Sequence, residues 1–121
     1  MVGIGIDAVE VARFRAVITR TPGVRTRLFT DGERAYGERA RDPAPRLAAR
    51  FAAKEAVMKA LGVGLGAFGF HDVEVVREPS GQPSLVLRGA AATLAEEKGV
   101  TGWRLSLTHT DETAEAVAVA L

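Results

Sequence analysis

The chain opens on a strict alternation. In VGIGID, Val2, Ile4 and Ile6 fall on one side of an extended segment, and Gly3, Gly5 and Asp7 fall on the other. A period of two is that of a β-strand, and a face without side chains lets another element approach its backbone closely. From Ala8 to about Arg20 the spacing turns helical: Val11, Phe14 and Ile18 form an apolar stripe, while Arg13 and Arg20, seven apart, share a different face. Pro22-Gly23 ends that helix. TDGE, Thr30 to Glu33, has the form of a capping box opening a short helix to about Arg41, and DPAP at 42–45 breaks the chain before a longer helix from about Pro45 to Leu61. The glycine-rich GVGLGAFG at 62–69 is too flexible to continue it. DVEVVR and SLVLR then alternate as two strands joined by EPSGQP, a helix is expected near Ala90 to Lys98, and WRLSLTHT and AEAVAVAL form a second hairpin across DET. This order predicts one α+β domain, spanning residues 1–121, with a largely antiparallel sheet, because only the hairpin pairings are locally specified.

Composition narrows the function classes. At 121 residues the chain is one domain, large enough for a real core and small enough to gain from oligomerisation. No apolar run approaches the roughly 18 residues of a membrane span. No secretory pattern is visible at MVGIGID and there are no cysteines, so disulfide and thiol chemistry are excluded and a cytoplasmic location is expected. The net charge of +1 is uneven, with ten basic and six acidic side chains in residues 1–50 against six and nine in 51–121. Thirteen of the sixteen cations are Arg, which suits bidentate pairing with carboxylates or phosphates. A nucleic-acid binder is disfavoured, since the basic excess is modest and no basic–aromatic interleaving occurs.

FAAKEAVMKALG, Phe51 to Gly62, sets three charges in an apolar, helix-favouring run. On a helical wheel Phe51, Val57, Met58 and Leu61 crowd one arc, and Glu55 and Lys59 lie together beyond it with Ala52 and Ala56 beside them. That arrangement is either an i,i+4 pair on a solvated helix, worth roughly 0.3–0.5 kcal/mol, or a carboxylate and an ammonium with room for a third body. Lys54 lies near Val57 and Leu61, so its stem is expected to cover apolar surface while its head reaches out or joins a structural ion pair. Asp7, on the glycine face of the first strand, suits either the cap of the next helix or a cation. If Asp7 and Glu55 converge, they form a typical Mg²⁺ site completed by waters and phosphate oxygens. GVGLGAFG is neither a Walker A loop nor a dinucleotide fingerprint, and its simplest role is a helix stop and a bend. His109, with Leu105 and Leu107 on one face of its strand, is a packing residue or a site residue.

Together GIGIDAVEVARF and RFAAKEAVMKALG resemble the two signature motifs of the small 4′-phosphopantetheinyl transferases, with the strongest likeness to the bacterial holo-[acyl-carrier-protein] synthase type. FHDVEV, SGQPSLVL and LSLTHTDETAEAVAVA extend the match over nearly the whole chain, in the family's order. Residues 21–46 follow the layout without a motif. The resemblance implies Mg²⁺-dependent transfer of 4′-phosphopantetheine from coenzyme A to a serine of an apo acyl carrier protein, releasing adenosine 3′,5′-bisphosphate. The carriers would be those of fatty-acid or polyketide synthesis. Asp7 and Glu55 match the metal-binding carboxylates and Lys59 the lysine beside the pyrophosphate. Arg50, Gly62, Gly64, Gly81, Pro83, His109 and Thr110 match positions that bind the coenzyme, and Arg13 and Arg20 match those facing the acidic carrier. The resemblance also implies a homotrimer with sites at subunit boundaries. The competing expectation is a noncatalytic module of the same fold that binds carrier or coenzyme A without turnover.

Overall fold

The structure, a computed structural model, describes all 121 residues, Met1–Leu121. It is an α+β fold of five strands, five α-helices and one 3₁₀ turn: β1 (Gly3–Glu10), α1 (Val11–Arg20), α2 (Gly23–Leu28), α3 (Asp31–Glu38), α4 (Ala44–Ala60), the turn Phe70–Asp72, β2 (Val73–Arg77), β3 (Pro83–Leu87), α5 (Gly89–Glu97), β4 (Trp103–His109) and β5 (Thr113–Ala120). Both expected hairpins form, β2–β3 as a separate two-stranded sheet and β4–β5 as part of a three-stranded one. The third strand of that sheet is β1, antiparallel to β5 with Gly3 opposite Ala120 and Glu10 opposite Thr113, so the two ends of the chain are neighbours. All pairing is antiparallel. No helix is long and apolar enough to cross a membrane.

Two boundaries differ from the sequence expectation. The first strand continues through Ala8–Glu10 before α1 begins at Val11, because three more backbone pairs to β5 hold those residues extended. Pro22-Gly23 ends α1, as expected, yet a further short helix, α2, starts at once and carries no buried residue. At six residues, with only Val24 and Leu28 packed against the core, α2 is too short to leave a periodic signal. The capping box at Thr30 forms in full, with each side chain of the Thr30–Glu33 pair accepting the other's backbone N–H.

Helix α4 is the centre of the molecule. Twelve of its 17 residues are buried, so over most of its length it has no solvent face. Its C-terminal half supplies Ala52, Ala53, Ala56, Val57, Met58 and the adjoining Leu61 to a core shared with β2, α5, β4 and β5; its N-terminal half packs Leu47 and Ala48 against Val11, Phe14 and Ile18 of α1. The glycine face of β1 is what admits this helix. A Cβ on Gly3 would lie 2.0 Å from the Ala60 carbonyl oxygen and one on Gly5 1.9 Å from that of Ala56, so only glycine fits at either position. The apolar face of β1 consequently points outward, leaving Ile4 57% and Ile6 62% exposed.

Lys54 corrects its expectation in part. Its head does not reach water: the residue is 0% exposed and its Nζ donates to Glu33 Oε1 at 2.8 Å, to the Phe70 carbonyl at 2.9 Å and to the Val73 carbonyl. The ion pair with Glu33 is therefore a buried clasp between α3, α4 and the start of β2. Glu33 completes it by accepting the Val75 N–H at 2.9 Å.

Candidate active site

Two groups of the expected site residues form, on different sides of α4. The first lies where β1 meets the solvent side of the helix. Asp7 sits in the middle of β1 and not at its end, and no side chain caps α1, so the helix-cap role is excluded. The close packing licensed by Gly3 and Gly5 brings Asp7 beside the third and fourth turns of α4. Lys59 Nζ donates to Asp7 Oδ1 at 3.1 Å and to the Ile6 carbonyl at 2.9 Å. Lys59 thus pairs across to the strand, and the i,i+4 ion pair with Glu55 does not form.

Asp7 and Glu55 line one cleft of about 630 Å³ whose floor is apolar, with Phe14, Leu28 and Phe51, and whose rim carries Arg13 and Glu10. Partial burial pushes the Glu55 carboxyl above its ordinary value, the negative charge of Asp7 pushes it further, and Lys59 pulls the other way. Two carboxylates drawn from different elements, one raising the cost of ionising the other, are a natural place for a hard cation. No cluster of three or more metal-ligating side chains exists, so the chain offers two oxygen donors, which fits Mg²⁺ with its preference for few protein ligands plus water and phosphate oxygens. Arg13 and Arg20 are both exposed on α1, and Arg13 reaches the cleft itself.

The end of α4 closes with a Schellman motif: the Gly62 N–H bonds to the Lys59 carbonyl and the Val63 N–H to that of Met58, with Gly62 at φ +72°. Lys59 is therefore in the last turn, and Gly62 and Gly64 follow it directly, with open space where their Cβ atoms would be.

The second group gathers around Tyr36 of α3. Of the expected coenzyme-binding positions, Arg50, Gly81, Pro83 and His109 line one pocket there, which also holds Arg46 and Arg77, whereas Gly62 and Gly64 do not reach it. Thr110 stands apart from it: its Oγ1 accepts the N–H groups of Glu112 and Thr113 and shapes the β4–β5 turn. Tyr36, Arg46 and Arg77 were not anticipated. The i,i+4 spacing of Arg46 and Arg50 was a signal available in the sequence, whereas Tyr36 and Arg77 reach the pocket only through tertiary packing.

The chain matches the family model described as "4'-phosphopantetheinyl transferase superfamily" over residues 3–120. It belongs to that superfamily. Among similar curated proteins, the holo-[acyl-carrier-protein] synthase of Frankia alni is 48% identical over 120 residues, covering 99% of this chain and 97% of the relative, and that of Moorella thermoacetica is 46% identical, covering 98% and 93%. Among solved structures, the holo-[acyl-carrier-protein] synthase of Neisseria meningitidis superposes with a TM-score of 0.90 at 32% identity, covering 100% of this chain and 98% of that one. The Helicobacter pylori synthase, solved in complex with coenzyme A, gives 0.86 at 28% identity, covering 98% and 99%.

Within this transferase fold the two groups cannot be one pocket of a single chain. Arg50 and Glu55 lie about 140° apart around α4, and Arg50 and Lys59 about 180°, at 100° per residue. The two clefts accordingly share no lining residue.

Proposed function

We propose that this chain is a holo-[acyl-carrier-protein] synthase that moves the 4′-phosphopantetheine of coenzyme A onto a serine hydroxyl of an apo acyl carrier protein. The observation that carries the reading is the meeting of Asp7 and Glu55 at one cleft, with Lys59 bonded to Asp7, on elements held together by two obligatory glycines, in a chain whose relatives bear that name. A noncatalytic binding module has no use for a raised carboxylate facing a second one, and that reading is disfavoured.

Asp7 and Glu55 would hold Mg²⁺, whose contribution when bound is to neutralise charge growing on the pyrophosphate. Lys59 is 54% exposed at its side chain, so its ammonium is free to pass from Asp7 to a phosphate oxygen, adding positive charge where the leaving group becomes more negative. The serine oxygen attacks the phosphorus that carries pantetheine, and the phosphoanhydride P–O bond breaks in line. Adenosine 3′,5′-bisphosphate departs with that electron pair. Glu55 receives the serine proton, a task helped by its raised affinity for protons. Arg13 at the mouth of the cleft and Arg20 further along α1 would face the acidic carrier.

The same geometry supports the homotrimer that the resemblance implies. A coenzyme spanning the Asp7–Glu55 cleft and the Arg50 pocket, which one chain turns to opposite sides of α4, would draw on two copies, and the exposed Ile4 and Ile6 provide an apolar sheet face for a neighbouring copy. Sedimentation should give three times the chain mass, and Ile4→Glu should release monomers that no longer transfer; a monomeric, fully active wild type would remove this part of the reading. A cytoplasmic location fits a chain that uses coenzyme A and carries no cysteine.

The deciding experiment is intact-mass analysis of an apo acyl carrier protein incubated with coenzyme A, Mg²⁺ and the protein. The expected result is a gain of one phosphopantetheine arm, abolished by EDTA and by Asp7→Ala or Glu55→Ala. No gain on any of several fatty-acid and polyketide carriers would return the binding module to first place.

A further inference from the structure

Helix α2 is held lightly. None of its six residues is buried, its backbone bonds are local, and only Val24 and Leu28 pack against the core. One side-chain hydrogen bond reaches it: the ring Nε2 of His71 lies 2.6 Å from the Thr26 carbonyl oxygen. A carbonyl only accepts, so this nitrogen carries the hydrogen and donates. The acceptor is an orphan of the helix end, because the N–H that would serve it, that of Thr30, donates to Glu33 Oε1 at 3.0 Å.

The donor stands on a firmer base than the helix it holds. His71 belongs to the 3₁₀ turn Phe70–Asp72, whose Phe70 carbonyl accepts from the buried Lys54 Nζ at 2.9 Å. The Phe70 ring stacks on Phe51 with centroids 5.8 Å apart, and Phe51 leans on Phe14 at 5.6 Å. Phe51, Phe14 and Leu28 of α2 all line the Asp7–Glu55 cleft. The turn therefore braces two walls of that cleft, one through its phenylalanine and the other through its histidine. Behind α2 lies a second hollow of about 340 Å³, lined by Gly23, Thr26 and Arg27 on the helix side and by Gly69, Phe70 and His71 on the other. Helix α2 is the partition between hollow and cleft, and the His71 bond fixes where it stands.

We infer that His71 is a positioning residue for the transfer: by tying α2 to the 3₁₀ turn it fixes the Leu28 wall of the cleft over which an acyl carrier protein docks. The inference rests on the transferase reading and adds to it a residue that lines neither the cleft nor the Tyr36 pocket. That reading brings the carrier's serine to Asp7 and Glu55, so the carrier passes the α2 wall, whereas the Tyr36 pocket shares no residue with α2. A segment with few buried contacts opens at low cost, and losing its one external hydrogen bond frees it between Pro22-Gly23 and the fully buried Phe29.

The test compares wild type, His71→Ala and His71→Gln, whose amide N–H reaches the place of the ring Nε2–H. His71 is exposed, so both variants should keep Tm within about 3 °C of wild type. In His71→Ala, hydrogen exchange should speed at least about fivefold at the amides of residues 24–29 and stay unchanged in α1 and α4. KM for apo acyl carrier protein should rise about fivefold, the scale of one hydrogen bond, with kcat and KM for coenzyme A within about twofold of wild type. His71→Gln should restore both readouts. Unchanged exchange at α2, an unmoved KM for carrier, equal losses on both substrates, or a His71→Gln as impaired as His71→Ala would each overturn the proposal. Calorimetric titration of apo acyl carrier protein into each variant repeats the comparison without turnover: affinity weakened about fivefold in His71→Ala alone, in a protein that transfers nothing, would refute the transferase reading and leave the part of His71 in carrier docking standing.

Discussion

Replacing Lys54 with Met removes one partner of the buried clasp and leaves its shape nearly filled. Glu33 then keeps two acceptor bonds, from the Thr30 and Val75 N–H groups, but loses the only ion-pair partner of a carboxylate that is 1% exposed. Breaking a buried ion pair from one side costs about 3–5 kcal/mol, a large share of the roughly 5–15 kcal/mol that holds a domain together. For a chain of this size 1 kcal/mol moves Tm by about 3–5 °C, so Lys54→Met should melt roughly 10–20 °C below wild type. Glu33→Gln leaves the ammonium with two carbonyls and a neutral amide, and it should also fall. In the double variant no charge is stranded, so its loss should be smaller than the sum of the single losses by at least about 1.5 kcal/mol. Urea unfolding followed by far-UV circular dichroism, at one fixed protein concentration because an oligomer links stability to mass action, measures all four corners. Additivity within about 0.5 kcal/mol, or a Lys54→Met loss below about 1 kcal/mol, would show that the pair does not act as a clasp.

Three further outcomes follow from the site. The Glu55 carboxyl is raised on folding, so its protonated form contributes stability below the ordinary Glu value that is lost as pH climbs through the raised one. Glu55→Gln should therefore melt above wild type at pH 7, with the gap closing toward pH 4, and Mg²⁺ should raise the Tm of wild type but not of the variant. Gly5→Ala drives a Cβ to 1.9 Å from the Ala56 carbonyl oxygen, which should cost about 3 kcal/mol and, even in protein still folded, cut transfer by displacing Asp7; Gly64→Ala, facing open space, should leave Tm unchanged. Reversing Arg13 and Arg20 to Glu should raise KM for carrier and flatten its salt dependence while sparing KM for coenzyme A, and equal losses on both substrates would remove α1 as the carrier-facing surface.

Much of this molecule could be read along the chain because its signals are local. The Thr30–Glu33 capping box needs four residues, each hairpin needs two alternating runs and a turn, and the stop after Lys59 needs one glycine at positive φ. The bare side of VGIGID announced a close approach before the identity of the approaching element was known, and that element proved to be α4. Short α2 escaped because a six-residue helix that packs only Val24 and Leu28 gives too few repeats for a periodic signature.

The sequence alone determined the strand-and-helix order apart from α2, the charged triplet of FAAKEAVMKALG and, through two motifs in fixed order, the superfamily. The helical wheel already set Lys54 beside Val57 and Leu61 and apart from Glu55 and Lys59, but it could not name the partners: only packing gives Lys54 to Glu33 and Lys59 to Asp7. Tertiary structure also decided that Arg46, Arg50 and Arg77, separated by up to 31 positions, would meet on one tyrosine. The physical reason is one of range: caps, turns and periodic faces are set by neighbours a few residues apart, whereas burial and charge pairing depend on which surfaces the whole chain can close together.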